Sequence, residues 1–181
     1  MSPGGPGRPV FLTGMMGAGK STVAPLLAAA WGVPWVDLDT RIARIFGAPV
    51  AALFAAGEAQ FRRREREALQ LLLDEPGFVR RTVVVATGGG VVVDPHTRAA
   101  LRAAGRVVLL RVSPATLTLR LTDPEVARTR PLLQGHDLPA RLHELWTHRQ
   151  SAYEEADVVV DAEGSPQDAV LSLRAALEVR P

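Results

Sequence analysis

Short apolar runs recur along the chain and alternate with longer stretches that have a helical pattern. The short runs are rich in Val and Leu, which is typical of strands covered on both faces of a sheet. We predict five strands, over residues 9–13, 33–37, 82–86, 107–112 and 157–161. We predict helices over residues 20–31, 40–46, 59–73, 95–104, 114–121, 138–156 and 167–179. This alternation favours an α/β fold with a parallel sheet and right-handed crossovers.

The length of 181 residues suits a single domain, which we place over residues 9–181. Two segments do not fit a bare five-stranded core. Residues 40–73 place two helices between the second and third strands, which predicts a helical insertion. Residues 122–137 are polar and contain Pro and Gly, which predicts a mobile lid loop. Residues 1–8 are rich in Gly and Pro without an apolar pattern, so we expect a flexible tail.

Composition narrows the class of protein. The net charge of +2 gives no sign of the clustered basic footprint of a nucleic-acid-binding protein. No run is apolar and long enough to span a membrane, and the first residues lack the apolar stretch of a signal peptide. The absence of cysteine excludes disulfides and thiolate metal sites. We therefore expect a cytoplasmic protein with no nucleic-acid or membrane partner. We also expect a monomer, although none of these observations bears on the oligomeric state.

A glycine-rich motif directly follows the first predicted strand. Residues 14–21 match the P-loop pattern of Gly, four residues and Gly-Lys-Ser. Glycines let backbone N–H groups approach phosphate oxygens without a Cβ clash, and the start of the next helix adds partial positive charge. Lys20 is expected to reach the β- and γ-phosphates, and the Ser21 hydroxyl suits Mg²⁺. The motif predicts a nucleotide site formed by Gly17, Ala18, Gly19, Lys20, Ser21 and Thr22.

The alternative to a P-loop is a chance glycine-rich turn. The strand before the motif and the helix after it favour the P-loop, because the motif requires this context. Lys20 is also the only lysine among the 21 Lys and Arg residues of the chain. This could reflect a general drift toward Arg, or a need for an ammonium group at position 20, and the two explanations are compatible.

Carboxylates near the motif indicate the class of P-loop protein. A GTPase usually reads guanine with an Asn-Lys-x-Asp motif, which a chain whose one lysine lies in the P-loop cannot have. A motor-type ATPase usually has a metal-linked Asp at the end of a neighbouring strand, but the third strand ends in Ala86 and Thr87. The second strand instead runs into Asp37 and Asp39, at the edge of the sheet where α/β folds bind ligands. The pattern favours a small-molecule kinase; the alternative is a capping pair in which Asp39 starts the next helix.

Three consecutive glycines follow the third strand. Gly88, Gly89 and Gly90 permit close approach of the backbone to a ligand, although an ordinary turn would have the same composition. Their position beside the same edge of the sheet favours ligand contact.

Arginines supply candidate anion contacts. The charge run over residues 61–67 lies on a predicted helix, and most of it should face solvent. One arginine of this run could turn inward to bind an anionic acceptor, and the residues alone leave open which one. Arg130 in the polar loop is a candidate for stabilising the transferred phosphoryl group, or is a solvated charge. Arg149 lies on a later helix beside apolar positions, where it could pack its stem or bind an anion.

In this order along the chain, these features resemble the shikimate kinase family, and the resemblance covers nearly all residues from Arg8 onward. It rests on the P-loop, Asp37-Leu38-Asp39, Phe61-Arg62-Arg63 followed by Glu65, Ala86-Thr87-Gly88-Gly89-Gly90, Arg130-Pro131-Leu132-Leu133, and Arg149 four residues before Tyr153. The resemblance implies transfer of the ATP γ-phosphoryl group to the 3-hydroxyl of shikimate, in chorismate and aromatic amino-acid biosynthesis. The implied fold is a three-layer α/β sandwich like that of the nucleoside monophosphate kinases, with strand order 2-3-1-4-5.

The resemblance also implies residue roles. Lys20, Asp39 and Arg130 would be catalytic, and Ser21 and Asp37 would hold one Mg²⁺ ion. The insertion over residues 40–73 would bind substrate. The substrate residues implied are Asp39, Arg62, Glu65, Gly88, Gly89, Gly90 and Arg149, with Arg62 and Arg149 on the shikimate carboxylate and Glu65 orienting them.

The chain departs from the family pattern just before the lid. Family members usually have an adenine-stacking Arg at a fixed short distance ahead of Arg-Pro-Leu-Leu, and residues 121–129 are a few residues longer here. Arg120 is the candidate for that contact with ATP.

Two other functions are alternatives. Gluconate kinase shares the P-loop and fold type but should lack the glycine triplet and the Arg-Pro-Leu-Leu segment. A non-enzymatic nucleotide sensor is the third alternative, and it would not turn over ATP when an acceptor is added.

Overall fold

Five parallel strands form the central sheet of the computed structural model, which describes residues 5–122, Leu133 and residues 137–178. The strand order is β2-β3-β1-β4-β5, so the predicted order is confirmed. The central strand β1 pairs with β3 and β4, and Val10 lies opposite both Val84 and Arg106. The strands are β1 (Val10–Thr13), β2 (Trp35–Asp37), β3 (Val84–Ala86), β4 (Arg106–Arg111) and β5 (Val158–Asp161).

Eight α-helices lie between and after these strands in the described part of the chain. Three of them begin at an Asp or Ser whose side chain accepts a backbone N–H of the first turn, with a Pro at the first or second helical position, and the caps are Asp94, Ser113 and Asp137. The helices are α1 (Lys20–Trp31), α2 (Leu38–Phe46), α3 (Val50–Ala55), α4 (Glu58–Leu73), α5 (Pro95–Ala104), α6 (Pro114–Leu121), α7 (Leu138–Glu154) and α8 (Pro166–Glu178).

The core lies on both sides of the sheet. All four residues of β1 are buried, and because alternate residues of a strand face opposite sides, both faces of the sheet must be covered. Helices α1 and α8 pack against each other, while α5 packs on β4. The predicted three-layer sandwich is thereby confirmed, and the carboxyl ends of the strands are left open on one edge.

The segment between β2 and β3 differs from the sequence expectation in two respects. It contains three helices rather than two, because α3 was missed: its six residues are too few to show a periodic pattern, and packing of Phe54 on Phe61 of α4 holds it in place. Helix α2 begins at Leu38, and its N-cap is Asp37, whose side chain accepts the N–H of Thr40 at 2.9 Å. The suggestion that Asp39 is the N-cap is therefore wrong, since Asp39 lies inside the first turn.

The two predicted flexible segments are only partly described. Of the tail over residues 1–8, Gly7 donates to the Thr82 hydroxyl and Arg8 to the Ala103 carbonyl. Of the lid over residues 122–137, Thr122, Leu133 and Asp137 are described, and Leu133 is buried. The flexibility predicted for the tail and for the lid stays a prediction. Within the described residues, none of the helices is both long enough and apolar enough to cross a bilayer.

Candidate active site

A cavity of about 460 Å³ opens along the carboxyl edge of the sheet. The P-loop forms its floor, with Asp39 and the first residues of the glycine triplet at one end. Arg120 and the loop after β5 form the other end. One continuous cavity thus joins the predicted nucleotide site to part of the predicted substrate site.

Backbone conformation explains the glycines of the P-loop. Gly14 has a φ of 137°, and a Cβ there would lie 2.6 Å from the Leu110 carbonyl oxygen of β4. Gly19 has a φ of 90° and caps α1. Both positions are in the left-handed region that side chains disfavour, so the loop closes tightly only with glycine.

Lys20 lies across the P-loop. Its ammonium donates to the carbonyls of Gly14, at 2.8 Å, and Met15, at 2.9 Å. The side chain is 9% exposed and lines the cavity. A buried positive charge held at the start of α1 is well placed for phosphate oxygens, as the motif predicts.

Two oxygens suited to a divalent cation lie beside the P-loop. The Ser21 hydroxyl donates to Asp37 Oδ2 at 2.6 Å, and Asp37 Oδ1 accepts the Thr40 N–H. Mg²⁺ prefers such hard oxygens and usually keeps several waters and phosphate oxygens, so one or two protein ligands are enough. The residues predicted for Mg²⁺ therefore lie together and fit the ion.

Arg120 connects the P-loop to a part of the site that the sequence analysis missed. Its guanidinium donates to the Gly17 carbonyl at 3.3 Å and to the carbonyls of residues 162–164 at 2.9 to 3.2 Å. The loop after β5 lines the cavity through Ala162, Gly164, Ser165 and Pro166. The rule that ligands bind beyond the carboxyl ends of parallel strands could have pointed to this loop.

Of the arginines in the charge run, Arg62 is the one whose guanidinium reaches the glycine triplet. Its guanidinium donates to Glu65 at 2.7 Å and to Glu58 at 3.2 Å. The guanidinium also lies over the ring of Phe61, with the Arg62 Cζ atom 5.4 Å from the ring centroid. Arg63, the next residue, is exposed. The fold thus chooses between arginines that the sequence could not distinguish.

The glycine triplet clears space for charged side chains. A Cβ on Gly90 would lie 2.6 Å from the Arg62 guanidinium, one on Gly88 would lie 2.7 Å from Glu65 Oε1, and one on Gly89 would lie 3.4 Å from Arg149. None of the three has a positive φ. The sequence predicted close approach of a ligand to this turn. The structure shows close approach of the Arg62, Glu65 and Arg149 side chains instead.

Glu65 is the buried centre of this cluster. Its side chain is 4% exposed, and Oε1 has no hydrogen-bond partner among the described residues. Burial raises the pKa of the Glu65 carboxyl, the ion pair with Arg62 opposes that rise, and the nearby charge of Asp39 adds to it. The positive charge of Arg149 also opposes the rise in the pKa of Glu65. Arg149 is 6% exposed and donates to the Gly89 carbonyl at 3.3 Å.

The predicted site residues are therefore divided by location. Those of the P-loop, with Thr22, Asp39, Gly88, Gly89 and Arg120, line the cavity. Arg62, Glu65, Gly90 and Arg149 cluster beside it through the contacts given above. Arg130 lies outside the described residues.

Comparisons with known proteins show the family of the chain. The family described as shikimate kinase matches residues 16–178. The shikimate kinase of Geobacter sulfurreducens is 41% identical over 167 residues, 92% of this chain and 88% of the relative. That of Chlorobium chlorochromatii is 40% identical over 163 residues, 85% of this chain and 82% of the relative.

Solved structures separate the kinase alternatives. Shikimate kinase from Acinetobacter baumannii in complex with shikimate superposes with a TM-score of 0.83 at 31% identity, covering 93% of this chain and 92% of that one. A gluconokinase from Sinorhizobium meliloti gives 0.59 at 19% identity, covering 97% and 96%, which is a likeness of fold alone. With a family match over most of its length and relatives at about 40% identity, the chain belongs to the shikimate kinase family.

Proposed function

We propose that the chain transfers the γ-phosphoryl group of ATP to the 3-hydroxyl of shikimate, giving shikimate 3-phosphate and ADP. The observation that carries the proposal is a continuous cavity that runs from the P-loop to Asp39, Gly88 and Gly89, beside an arginine cluster. The reaction requires a site for the phosphates of ATP and a site for the carboxylate of the acceptor. The family to which the chain belongs supports assigning these two parts of the cavity region to one reaction.

The nucleotide half of the site binds ATP. Backbone N–H groups of the P-loop and the Lys20 ammonium face the phosphates, and Arg120 with the loop after β5 faces the adenine end. Mg²⁺, held by Ser21 and Asp37, would neutralise charge on the phosphate oxygens. Arg130 is proposed to stabilise the transferred phosphoryl group from the lid.

The acceptor half orients shikimate. Arg62 and Arg149 bind its carboxylate, because guanidinium groups match a carboxylate with paired donors. Asp39 accepts a hydrogen bond from the reacting hydroxyl and is placed to take its proton. Since phosphoryl transfer depends mainly on positioning and charge stabilisation, orientation of that hydroxyl is the larger part of the role of Asp39. The backbone of Gly88 to Gly90 forms the wall behind the acceptor.

The direct test is ATP turnover by the purified protein with different acceptors. We expect ADP release with shikimate, and only background release with gluconate or with no acceptor. ATP turnover with gluconate but not with shikimate would favour the gluconate kinase alternative. Nucleotide binding without turnover on any acceptor would favour the nucleotide sensor.

The division of labour between the two aspartates has its own test. Asp37→Asn should need more Mg²⁺ for half-maximal activity and recover partly with excess metal, because Asp37 bonds the Ser21 hydroxyl. Asp39→Asn should lose shikimate binding or kcat without recovery. Activity is measured against Mg²⁺ concentration in both variants. Identical metal profiles would contradict the separate roles but leave the kinase assignment in place.

The cytoplasmic location and the monomeric state expected from the sequence also belong to this proposal. Cell fractionation and the mass of the protein in solution check them separately from the catalytic assay.

A further inference from the structure

Tyr153 is a buried polar residue to which the reaction described above gives no role. It lies on α7 one helical turn after Arg149 and is fully buried. Its hydroxyl donates to the Gly89 carbonyl at 2.6 Å and lies 3.7 Å from the Met15 sulfur of the P-loop. One side chain thus contacts the glycine triplet and the phosphate cradle at once.

Arg149 shares these contacts. It donates to the same Gly89 carbonyl, at the longer distance of 3.3 Å. Burial raises the pKa of the Tyr153 hydroxyl, while the positive charge of Arg149 opposes that rise. The phenol therefore keeps its proton and remains a donor to Gly89 at neutral pH.

We propose that Tyr153 is a positioning residue for the acceptor site, whose hydroxyl sets both the Gly89 peptide and the Arg149 guanidinium in the orientation that receives the acceptor carboxylate. The proposal rests on the proposed function and deepens it. Tyr153 acts through its neighbours, since it does not line the cavity.

The physical reason lies in what each neighbour lacks. Gly89 has no side chain to anchor its peptide, so the carbonyl orientation depends on its hydrogen-bond partners. Arg149 makes a long bond to that carbonyl, so the direction of its guanidinium depends on how the carbonyl is held. Without the hydroxyl, the carbonyl would draw on Arg149 alone, and the guanidinium would turn from the acceptor toward the protein backbone.

The first experiment is the Tyr153→Phe variant, which keeps the ring and its packing against Trp146. We expect the KM for shikimate to rise roughly tenfold, the loss that about one hydrogen bond represents, with the KM for ATP within about twofold of wild type. Leu142→Val is the matched control, because Leu142 is buried near the start of the same helix, whereas Tyr153 lies near its end. It should lower Tm without changing either KM. A Tyr153→Phe variant with unchanged KM for shikimate would overturn the proposal.

Shikimate methyl ester separates this role from general loosening of the site. The ester lacks the carboxylate charge, so Arg149 has little to recognise. We expect wild type and Tyr153→Phe to use the ester equally poorly, with nearly the same KM. A tenfold penalty that persists with the ester would show that Tyr153 does not act through carboxylate binding.

A second measurement needs no variant. Tyr153 is the only tyrosine of the chain, so growth with 3-fluorotyrosine labels this side chain alone. Shikimate should shift its fluorine NMR resonance, and the ester should shift it less. A resonance that does not respond to shikimate would overturn the proposal. Failure of wild type to phosphorylate shikimate would instead remove the proposed function, which the activity assay detects separately.

Discussion

Lys20 and Arg62 show how single side chains set the chemistry of each half of the site. Lys20 carries the only side-chain ammonium of the protein and bridges two carbonyls of the P-loop. Arg62 is held by two glutamates and two aromatic rings at the other end. Each supplies a positive charge where an anionic group of a substrate is proposed to lie.

Chemical modification can test Lys20, because the protein has few other amines. An acylating reagent selective for amines can react only with Lys20 and the N-terminus, and neutralising Lys20 should abolish most turnover because phosphate charge goes uncompensated. ATP should protect against inactivation, and mass spectrometry counts the acyl groups. Lys20→Met should retain its fold, lose activity by about two to three orders of magnitude, and accept one acyl group only. Full activity in doubly acylated protein would contradict the phosphate role.

Two neighbouring arginines give a matched pair of substitutions. Arg62→Lys should raise the KM for shikimate by roughly tenfold or more with little change for ATP, since an ammonium cannot reproduce the planar fork that binds a carboxylate. Arg63→Lys is the control, because Arg63 is exposed on the same helix. Steady-state kinetics with each substrate varied provide the measurement. Equal kinetics in the two variants would remove Arg62 from the acceptor site.

At the scale of elements, the turn after β3 is the place where charged side chains from two helices pack. None of the glycines of this turn has a positive φ, so the structure uses their small size rather than their freedom to adopt the left-handed region. Arg62 from α4 and Arg149 from α7 approach this turn from two different helices. The turn therefore sets the distance between elements as well as the path of the chain.

Gly90→Ala tests whether Arg62 needs the space that a glycine leaves at this turn. Gly90 has a φ of −106°, which alanine adopts freely, but the added Cβ would lie 2.6 Å from the Arg62 guanidinium. We expect Tm to change little, because the end of a flexible side chain can move aside, and the KM for shikimate to rise. In an Arg62→Ala background the same substitution should have no further effect on KM. Additive effects of the two substitutions would show that Gly90 acts independently of Arg62.

At the scale of the whole molecule, the buried carboxyl of Glu65 links the site to folding stability. Its pKa is raised in the folded protein above the ordinary value of 4.5, with burial as the main cause. Over a range of pH above that value, the native protein retains a proton that the unfolded chain has released. The stability contributed by this group is present below about pH 4.5 and is lost as the pH rises through the folded pKa.

Replacement of Glu65 by Gln should flatten this dependence. The amide cannot ionise, so the free energy of unfolding of Glu65→Gln should fall less than that of wild type as the pH rises from about 4.5. Urea unfolding at several pH values in both proteins gives the comparison. Glu67→Gln, at an exposed position of the same helix, is the control and should keep the wild-type profile. A constant difference between wild type and Glu65→Gln at every pH would contradict the raised pKa.

Local features of the chain were predictable from its sequence. The P-loop, the strands and the Asp37 and Asp39 pair are contiguous patterns whose geometry depends on nearby backbone, so glycine spacing and apolar runs are enough to identify them. Family resemblance added the strand order, which the structure confirms. The short helix α3 was missed because six residues carry too little local signal and depend on packing.

Tertiary structure decided which side chains meet. The Tyr153 hydroxyl and the Gly89 carbonyl are 64 positions apart, and Arg120 reaches carbonyls more than 40 positions away. The choice of Arg62 over Arg63 likewise depends on the face of α4 that packs inward. Motifs record what a segment can do, but a buried contact forms only when separate elements pack together, and that packing is a property of the whole fold.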